Sequence, residues 1–355
     1  MIRPVPYVGA MGAYALADPS GAGTISLAQN ESAFPASPAA IAAGQAALAD
    51  LALYPDPEWA EMRSAIAEIH KLDPAHILCG AGSMELIGCL IRAFAGPGDQ
   101  VLGTQYGYAF VASATAQAQA EYVAAPEVDL TVSVDALLAA VTPATRIVFV
   151  CNPGNPTGTL IPNDEIVRLR SDLPGETLLV VDQAYAEFAD ATNDPAQIFA
   201  LMDRGDTVIT RTFSKAHGLA GARAGWGCFP SEISGGVRKL LNPNNISIAS
   251  QAAAAAAMRD QAHMRNVVAR TGEIRDRFAQ ACRELGLSVP KSHTNFVLIR
   301  FASTAQAQCA DAALRAEGLL MRGMNGYGLS DCLRATICAP GVMDKARDVL
   351  KGTLR

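Results

Sequence analysis

Six short apolar runs punctuate the first two-thirds of the chain: HILCG (76–80), QVLGT (100–104), EYVAA (121–125), RIVFV (146–150), TLLVV (177–181) and TVITR (207–211). A strand with one face in water alternates apolar and polar residues, whereas a near-continuous apolar run belongs in a sheet covered on both faces. Helix-like segments such as MRSAIAEIH (62–70) and MELIGCLIRAF (84–94) separate the runs. The pattern predicts an α/β chain with a mostly parallel central sheet sandwiched by helices. RAGWGC (223–228) reads as a further strand. Ligands on such sheets bind beyond the carboxyl ends of the strands. Four polar motifs fall there: GAGS after the first run, NPGNPTG after RIVFV, DQAY after TLLVV and TFSK after TVITR.

The flanks are organised differently. Residues 1–28 are rich in Gly, Pro and Ala without a clean period and read as an N-terminal arm that packs with the small domain. A helix is expected over 38–50, then a proline-stiffened loop, YPDPEW. LNPNN at 241–245 breaks the chain, giving a large domain over 29–245 and a smaller α+β domain over 246–355. In the latter, SQAAAAAAM and the charged pattern through Arg283 predict one or two long helices. TNFVLIRF, CADAALRAEG and LRATIC then read as strand, helix and strand.

Composition narrows the class. The 355 residues are half hydrophobic and carry a formal charge of −6, which argues against a nucleic-acid footprint or a polybasic membrane surface. No apolar run is long enough for a bilayer span, and MIRPVPYVG lacks a signal-peptide core. The eight cysteines form no CxxC pair and the five histidines have no metal-ligand spacing. The expectation is a reduced cytoplasmic protein without a metal site.

TFSKAHGLAGARAG (212–225) carries the chemistry. Lys215, at the end of a buried strand, sits where an ammonium is costly, and a lysine so placed attacks carbonyls to form a Schiff base. Thr212, Ser214 and Arg223 are suited to a phosphate. A Schiff-base lysine beside a phosphate cradle points to pyridoxal 5'-phosphate. Gly82 and Ser83 open a helix whose free N–H groups also bind phosphate. Asn155 and Tyr185 can donate to a phenolate oxygen, and Asp182 can pair with a protonated ring nitrogen. Tyr106, after QVLGT, can lie over a flat ring. Arg334, on an apolar strand, needs an anionic partner; Arg322 is a second anion contact or a solvated residue.

Each motif has an ordinary structural alternative when taken alone. GAGS can be a plain capped helix, Asp182 a helix cap, and Tyr106 or Tyr7 a packing residue. Asn30 can be part of a turn, Arg334 half of an internal ion pair, and His217 merely packed. Their joint occurrence at equivalent strand ends favours the ligand reading.

RTFSKAHGLAGARAG, NPTG, DQAY and MRGMNGYGLSDCLR, in this order, resemble the fold-type I pyridoxal-phosphate aminotransferases of class I/II, in the histidinol-phosphate aminotransferase branch. The resemblance runs from about Tyr7 to Arg334 and implies an aspartate aminotransferase-like fold. It implies that Lys215 holds the cofactor covalently, Asp182 its pyridinium, and Tyr185 and Asn155 its phenolic oxygen. Tyr106 stacks on the ring. Gly82, Ser83, Met84, Thr212, Ser214 and Arg223 bind the cofactor around its phosphate, joined by Tyr54 of the partner subunit in a homodimer. Tyr7, Asn30, Arg322 and Arg334 line the substrate side. The implied reaction moves an amino group from a donor, histidinol phosphate in this branch, to 2-oxoglutarate. An aromatic or broad-range aminotransferase and a decarboxylase of amino-acid phosphates are the alternatives. Gln183, Gly154 and the loop QNESAF depart from the residues usual in the family, and these departures bear on the substrate rather than on the cofactor.

Overall fold

The computed structural model describes residues 2–12, 23–189 and 193–354; part of the expected arm, 13–22, lies outside them. Eleven strands are described: β1 Ile25–Leu27, β2 Ile77–Gly80, β3 Gln100–Thr104, β4 Glu121–Ala125, β5 Thr145–Cys151, β6 Leu178–Asp182, β7 Thr207–Thr212, β8 Gly225–Cys228, β9 Phe296–Arg300, β10 Leu319–Met324 and β11 Leu329–Thr336.

Seven of them form one sheet in the order β2-β8-β7-β6-β5-β3-β4. All its pairings are parallel except the two made by β8. The apolar runs forecast this: Ile147, Val148, Val150, Leu179, Val180 and Val181 are fully buried in the central strands. Each such side chain stabilises the fold by about 1.5–3 kcal/mol relative to exposure. Helix Ala60–His70 buries Met62, Ala65 and Ile66, and helix Ser83–Phe94 buries Leu86, Ile87, Cys89, Leu90 and Ile91. Helix Pro38–Ala47 starts at Ser37, whose hydroxyl accepts from the N–H groups of Ala39 and Ala40. The alanine run forms helix Ile248–Arg259, which buries Ala253, Ala254, Ala257 and Met258 in the same core. Small residues allow this close approach: a Cβ on Gly44 would stand 3.4 Å from the Ala249 carbonyl oxygen.

The other four strands form a sheet in the order β1-β10-β11-β9. Its own core joins Val297, Ile299, Leu333 and Ala335 to Ile274, Phe278, Leu314, Met343 and Leu350 from helices Gln261–Glu284, Thr304–Ala316 and Pro340–Thr353. Strand β1 runs parallel to β10 and completes this C-terminal sheet. The residues after β1, Ala28 to Glu31, are thereby carried to the ends of β6 and β7.

Candidate active site

The carboxyl ends of β6 and β7 form the floor of a cavity of about 580 Å³. Asp182, the last residue of β6, lines it and is 3% exposed. The Thr210 hydroxyl donates to Asp182 Oδ1 at 2.8 Å, and the Cys151 thiol approaches Oδ2 at 3.7 Å. Burial raises the carboxyl to about 6; the two donors and Lys215 oppose that rise.

Lys215 follows β7, lines the cavity and is half-buried. Its Nζ donates to the carbonyl oxygens of Asn30 at 2.9 Å and Gln29 at 3.3 Å. Loss of water lowers its amine to about 8, with Arg334 and Arg223 acting in the same direction and Glu31 and Asp182 against. Asn30 adopts a left-handed backbone with φ +55°, which asparagine tolerates better than most residues. Its carbonyl also accepts from Asn295 Nδ2 at 3.1 Å, so a buried amide anchors the loop that meets the lysine.

The opening turn of helix Ser83–Phe94 makes an anion cradle. Gly82, at its N-cap with φ +82°, has no side chain between the helix N-terminus and Arg223, where a Cβ would lie 2.8 Å from Arg223 Nη2. A Cβ on Gly225 would stand 2.9 Å from Gly82 Cα. Gly82 thus lets the guanidinium approach the helix end, and Gly225 lets strand β8 pack against the backbone of that same turn. Arg223 holds φ +49° and donates to the Ala220 carbonyl at 3.0 Å. Ser83, Met84, Thr212 and Ser214 complete the wall. Helix N–H groups, hydroxyls and a guanidinium around one point match a phosphate.

A second group of donors faces the same space. Tyr185 is 2% exposed; its hydroxyl accepts from Asn30 Nδ2 at 2.9 Å, which leaves its own proton to donate. Burial pushes the phenol up, so it stays protonated. Asn155 Oδ1 accepts from Arg334 Nη1 at 2.6 Å, leaving the NH2 end of the amide as the donor. Arg334 also donates to the Ala28 carbonyl at 2.8 Å. Arg322 and Arg334 are register partners on β10 and β11, and both line the cavity. Two guanidinium groups side by side on one wall suit an anionic ligand group.

Thirteen of the expected site residues thus converge: Asn30, Gly82, Ser83, Met84, Asn155, Asp182, Tyr185, Thr212, Ser214, Lys215, Arg223, Arg322 and Arg334. Three do not. Tyr106 packs with Leu130 and Tyr327 against Leu298, Met324 and Leu329; Tyr108, two residues on, takes the cavity wall. Tyr7 is 39% exposed on helix Pro6–Ala10, and Tyr54 is 87% exposed. His217 is buried against the Phe213 ring at 5.1 Å, outside the cavity lining. Sequence reading missed Glu31, Tyr108 and Tyr327 as lining residues. TQYGY offered two tyrosines, and only the turn geometry separates them. Gly154 has a local cause: a Cβ there would meet Thr157 Oγ1 at 2.7 Å. Tyr108→Ala is expected to weaken cofactor binding about tenfold, against less than threefold for Tyr106→Ala, because an aromatic face contributes about 0.5–1.5 kcal/mol beyond its area. Fluorescence titration of the two cofactor-free variants checks the difference.

Among the described residues no cluster of His, Cys, Asp and Glu could hold a metal ion, and no helix is long and apolar enough to cross a membrane.

Residues 22–350 match the family model of aminotransferases of class I and II, and the chain belongs to that family. It is similar to the histidinol-phosphate aminotransferase of Rhodospirillum centenum, 44% identical over 93% of this chain and 91% of that protein. The enzyme of the same name from Rhodopseudomonas palustris is 41% identical over 100% and 98%. A crystal structure of histidinol-phosphate aminotransferase from Sinorhizobium meliloti in complex with pyridoxal-5'-phosphate superposes with a TM-score of 0.91, at 28% identity, covering 100% of this chain and 98% of that one. The chain is a pyridoxal-phosphate-dependent aminotransferase with the aspartate aminotransferase-like fold. The side chains fit that cofactor: an amine for its aldehyde, a buried carboxylate for its ring nitrogen, and a glycine-lined cradle for its phosphate.

Proposed function

We propose that the enzyme transfers the amino group of L-histidinol phosphate to 2-oxoglutarate. The observation that carries the reading is the pair Arg322–Arg334, in register and facing the cavity of Lys215. Histidinol phosphate has no α-carboxylate, so its phosphate is the anion for these guanidinium groups. The carboxylates of 2-oxoglutarate suit the same pair in the second half-reaction. Relatives with this donor in their names, alike over almost their whole length, support the reading.

When bound, the cofactor supplies an electron sink for the substrate α-carbon. The protein groups do the rest. Asp182 holds the ring nitrogen; Tyr185 and Asn155 donate to the phenolic oxygen. Gly82, Ser83, Met84, Thr212, Ser214 and Arg223 hold the phosphate, and a tyrosine of the 106–108 turn covers the ring. Lys215 Nζ is the group placed to accept and return the substrate α-proton. Asn30, through its carbonyl, keeps that nitrogen over the floor.

The active unit in this reading is a cytoplasmic homodimer. Ile41, Leu48, Leu51, Leu53 and Tyr54 form an apolar series 46–87% exposed, the kind of surface a partner subunit covers. Tyr54 of the partner subunit then reaches the phosphate, and Tyr7 in the arm reaches the substrate side. The division into arm 1–28, large domain 29–245 and small domain 246–355 belongs to the same proposal, although helix Ile248–Arg259, beyond the boundary, packs in the core of the large sheet.

A panel of amino donors with 2-oxoglutarate tests the assignment. Glutamate should form fastest from histidinol phosphate, and Arg334→Ala should raise its KM about 10–100-fold, the loss of one charge-assisted contact. Preference for aromatic amino acids, or release of carbon dioxide from an amino-acid phosphate, would refute it.

A further inference from the structure

Three residues at the floor stand in one row across three neighbouring strands: Cys151 on β5 is the register partner of Asp182 on β6, which is the partner of Thr210 on β7. Residues in register on parallel strands project to the same face. Thr210 is fully buried in a run otherwise read as apolar. Its hydroxyl meets Oδ1 of the carboxylate at 2.8 Å and the Cys151 thiol meets Oδ2 at 3.7 Å. The thiol is shared with the Pro153 carbonyl at 3.3 Å, so it is the weaker donor.

We propose that Thr210, assisted by Cys151, is a positioning residue for Asp182: one donor on each oxygen keeps the carboxylate ionised and in place beneath the cavity. The proposal rests on the reading that Asp182 meets the cofactor ring, and it is independent of the identity of the donor substrate. Without the two donors a carboxylate at this depth takes up a proton near neutral pH, and a neutral acid cannot hold a cationic ring. Cys151 is itself raised by burial and stays a thiol, hence a donor and not a competing anion. The other charged or titratable groups acting at Asp182 are Lys215, from the segment after β7, and Tyr185, from the turn after β6. Neither is altered by the substitutions, and Lys215, lowered to about 8, titrates in wild type and variants alike, so comparison at each pH isolates the carboxylate.

The test uses cofactor-free protein labelled with 13C-aspartate, the Asp182 band being assigned in infrared difference spectra against Asp182→Asn. Thr210→Val, and Thr210→Ala should the first variant not fold, are expected to raise the protonation midpoint from about 6 by about one to two pH units. Thr210→Ser should restore it, and Cys151→Ala should move it less than Thr210→Val. A second readout is cofactor affinity, roughly fourfold weaker for Thr210→Val at pH 7 and equal to wild type at about pH 9.5, where the carboxylate is ionised in both. Folded valine and alanine variants with an unmoved midpoint, or an affinity loss independent of pH, would overturn the proposal. A different donor found in the substrate panel would leave it standing.

Discussion

Lys215→Ala is expected to give a folded protein that binds pyridoxal phosphate reversibly only, lacks the absorption of the covalently held cofactor, and turns over roughly 10⁴-fold more slowly or worse. Two roles are lost at once, the covalent hold and the proton carrier, so added amines can rescue only in part. The setting explains why this lysine is reactive. With its amine lowered to about 8, roughly a quarter of the Lys215 side chains are neutral at pH 7.5, against about one in a thousand for an ordinary lysine. Amine-directed labelling of cofactor-free protein should therefore rise through a midpoint near 8 at this residue. The shift also has a stability consequence. The unfolded chain binds the extra proton between about 8 and the ordinary lysine value of 10.5, so stability from this group rises with pH across that window. Lys215→Arg separates charge from nucleophilicity, since guanidinium does not deprotonate; it should be as inactive as alanine.

Asp182→Asn is the second large effect, with a roughly 10³-fold fall in kcat expected. A full charge about 3 Å from the ring nitrogen contributes roughly 5 kcal/mol at an effective dielectric of about 20 before desolvation, and the amide keeps only a fraction. The same change should stabilise the cofactor-free protein. Burial raises the carboxyl from 3.8 to about 6, so the folded state binds the proton more tightly than the unfolded one. The associated stability is complete below about 3.8 and is lost as pH rises through about 6. At pH 7.5 the asparagine variant, which carries no charge to bury, should be more stable than wild type by up to about 3 kcal/mol. Denaturant melts at pH 4 and pH 7.5 check this: the gap should be wide at 7.5 and nearly closed at 4. A loss of stability at pH 7.5 would mean that the carboxylate is satisfied well enough to stabilise the fold.

The strands that carry this machinery were legible where burial on both faces leaves an unbroken apolar run. Gln100–Thr104 and Glu121–Ala125 fall on the residues read from sequence, and the other runs of the large sheet shift by one or two. Strands β1 and β10 were not foreseen. β1 is three residues long inside a Gly-rich arm, too short for a period to show. In β10, LLMRGM, the apolar run is interrupted by Arg322, a residue that faces the cavity; function erased the pattern that would have revealed the strand. The cofactor side of the site was readable because each part ends a strand. The carbonyls of Gln29 and Asn30 that hold Lys215 were not, since backbone acceptors carry no residue code. The choice between Tyr106 and Tyr108 depends on a turn. The buried pair Arg211–Glu187, 2.8 Å apart with 3% and 9% exposure, was likewise hidden, because an arginine in a strand shows its partner only once the chain is folded.

The most direct measurement is the site of covalent capture. Wild-type protein incubated with pyridoxal phosphate, reduced with borohydride and digested should carry the pyridoxyl mass on the peptide containing Lys215 and on no other. A label on another lysine at equal yield, or none at all with the protein folded, would contradict the account.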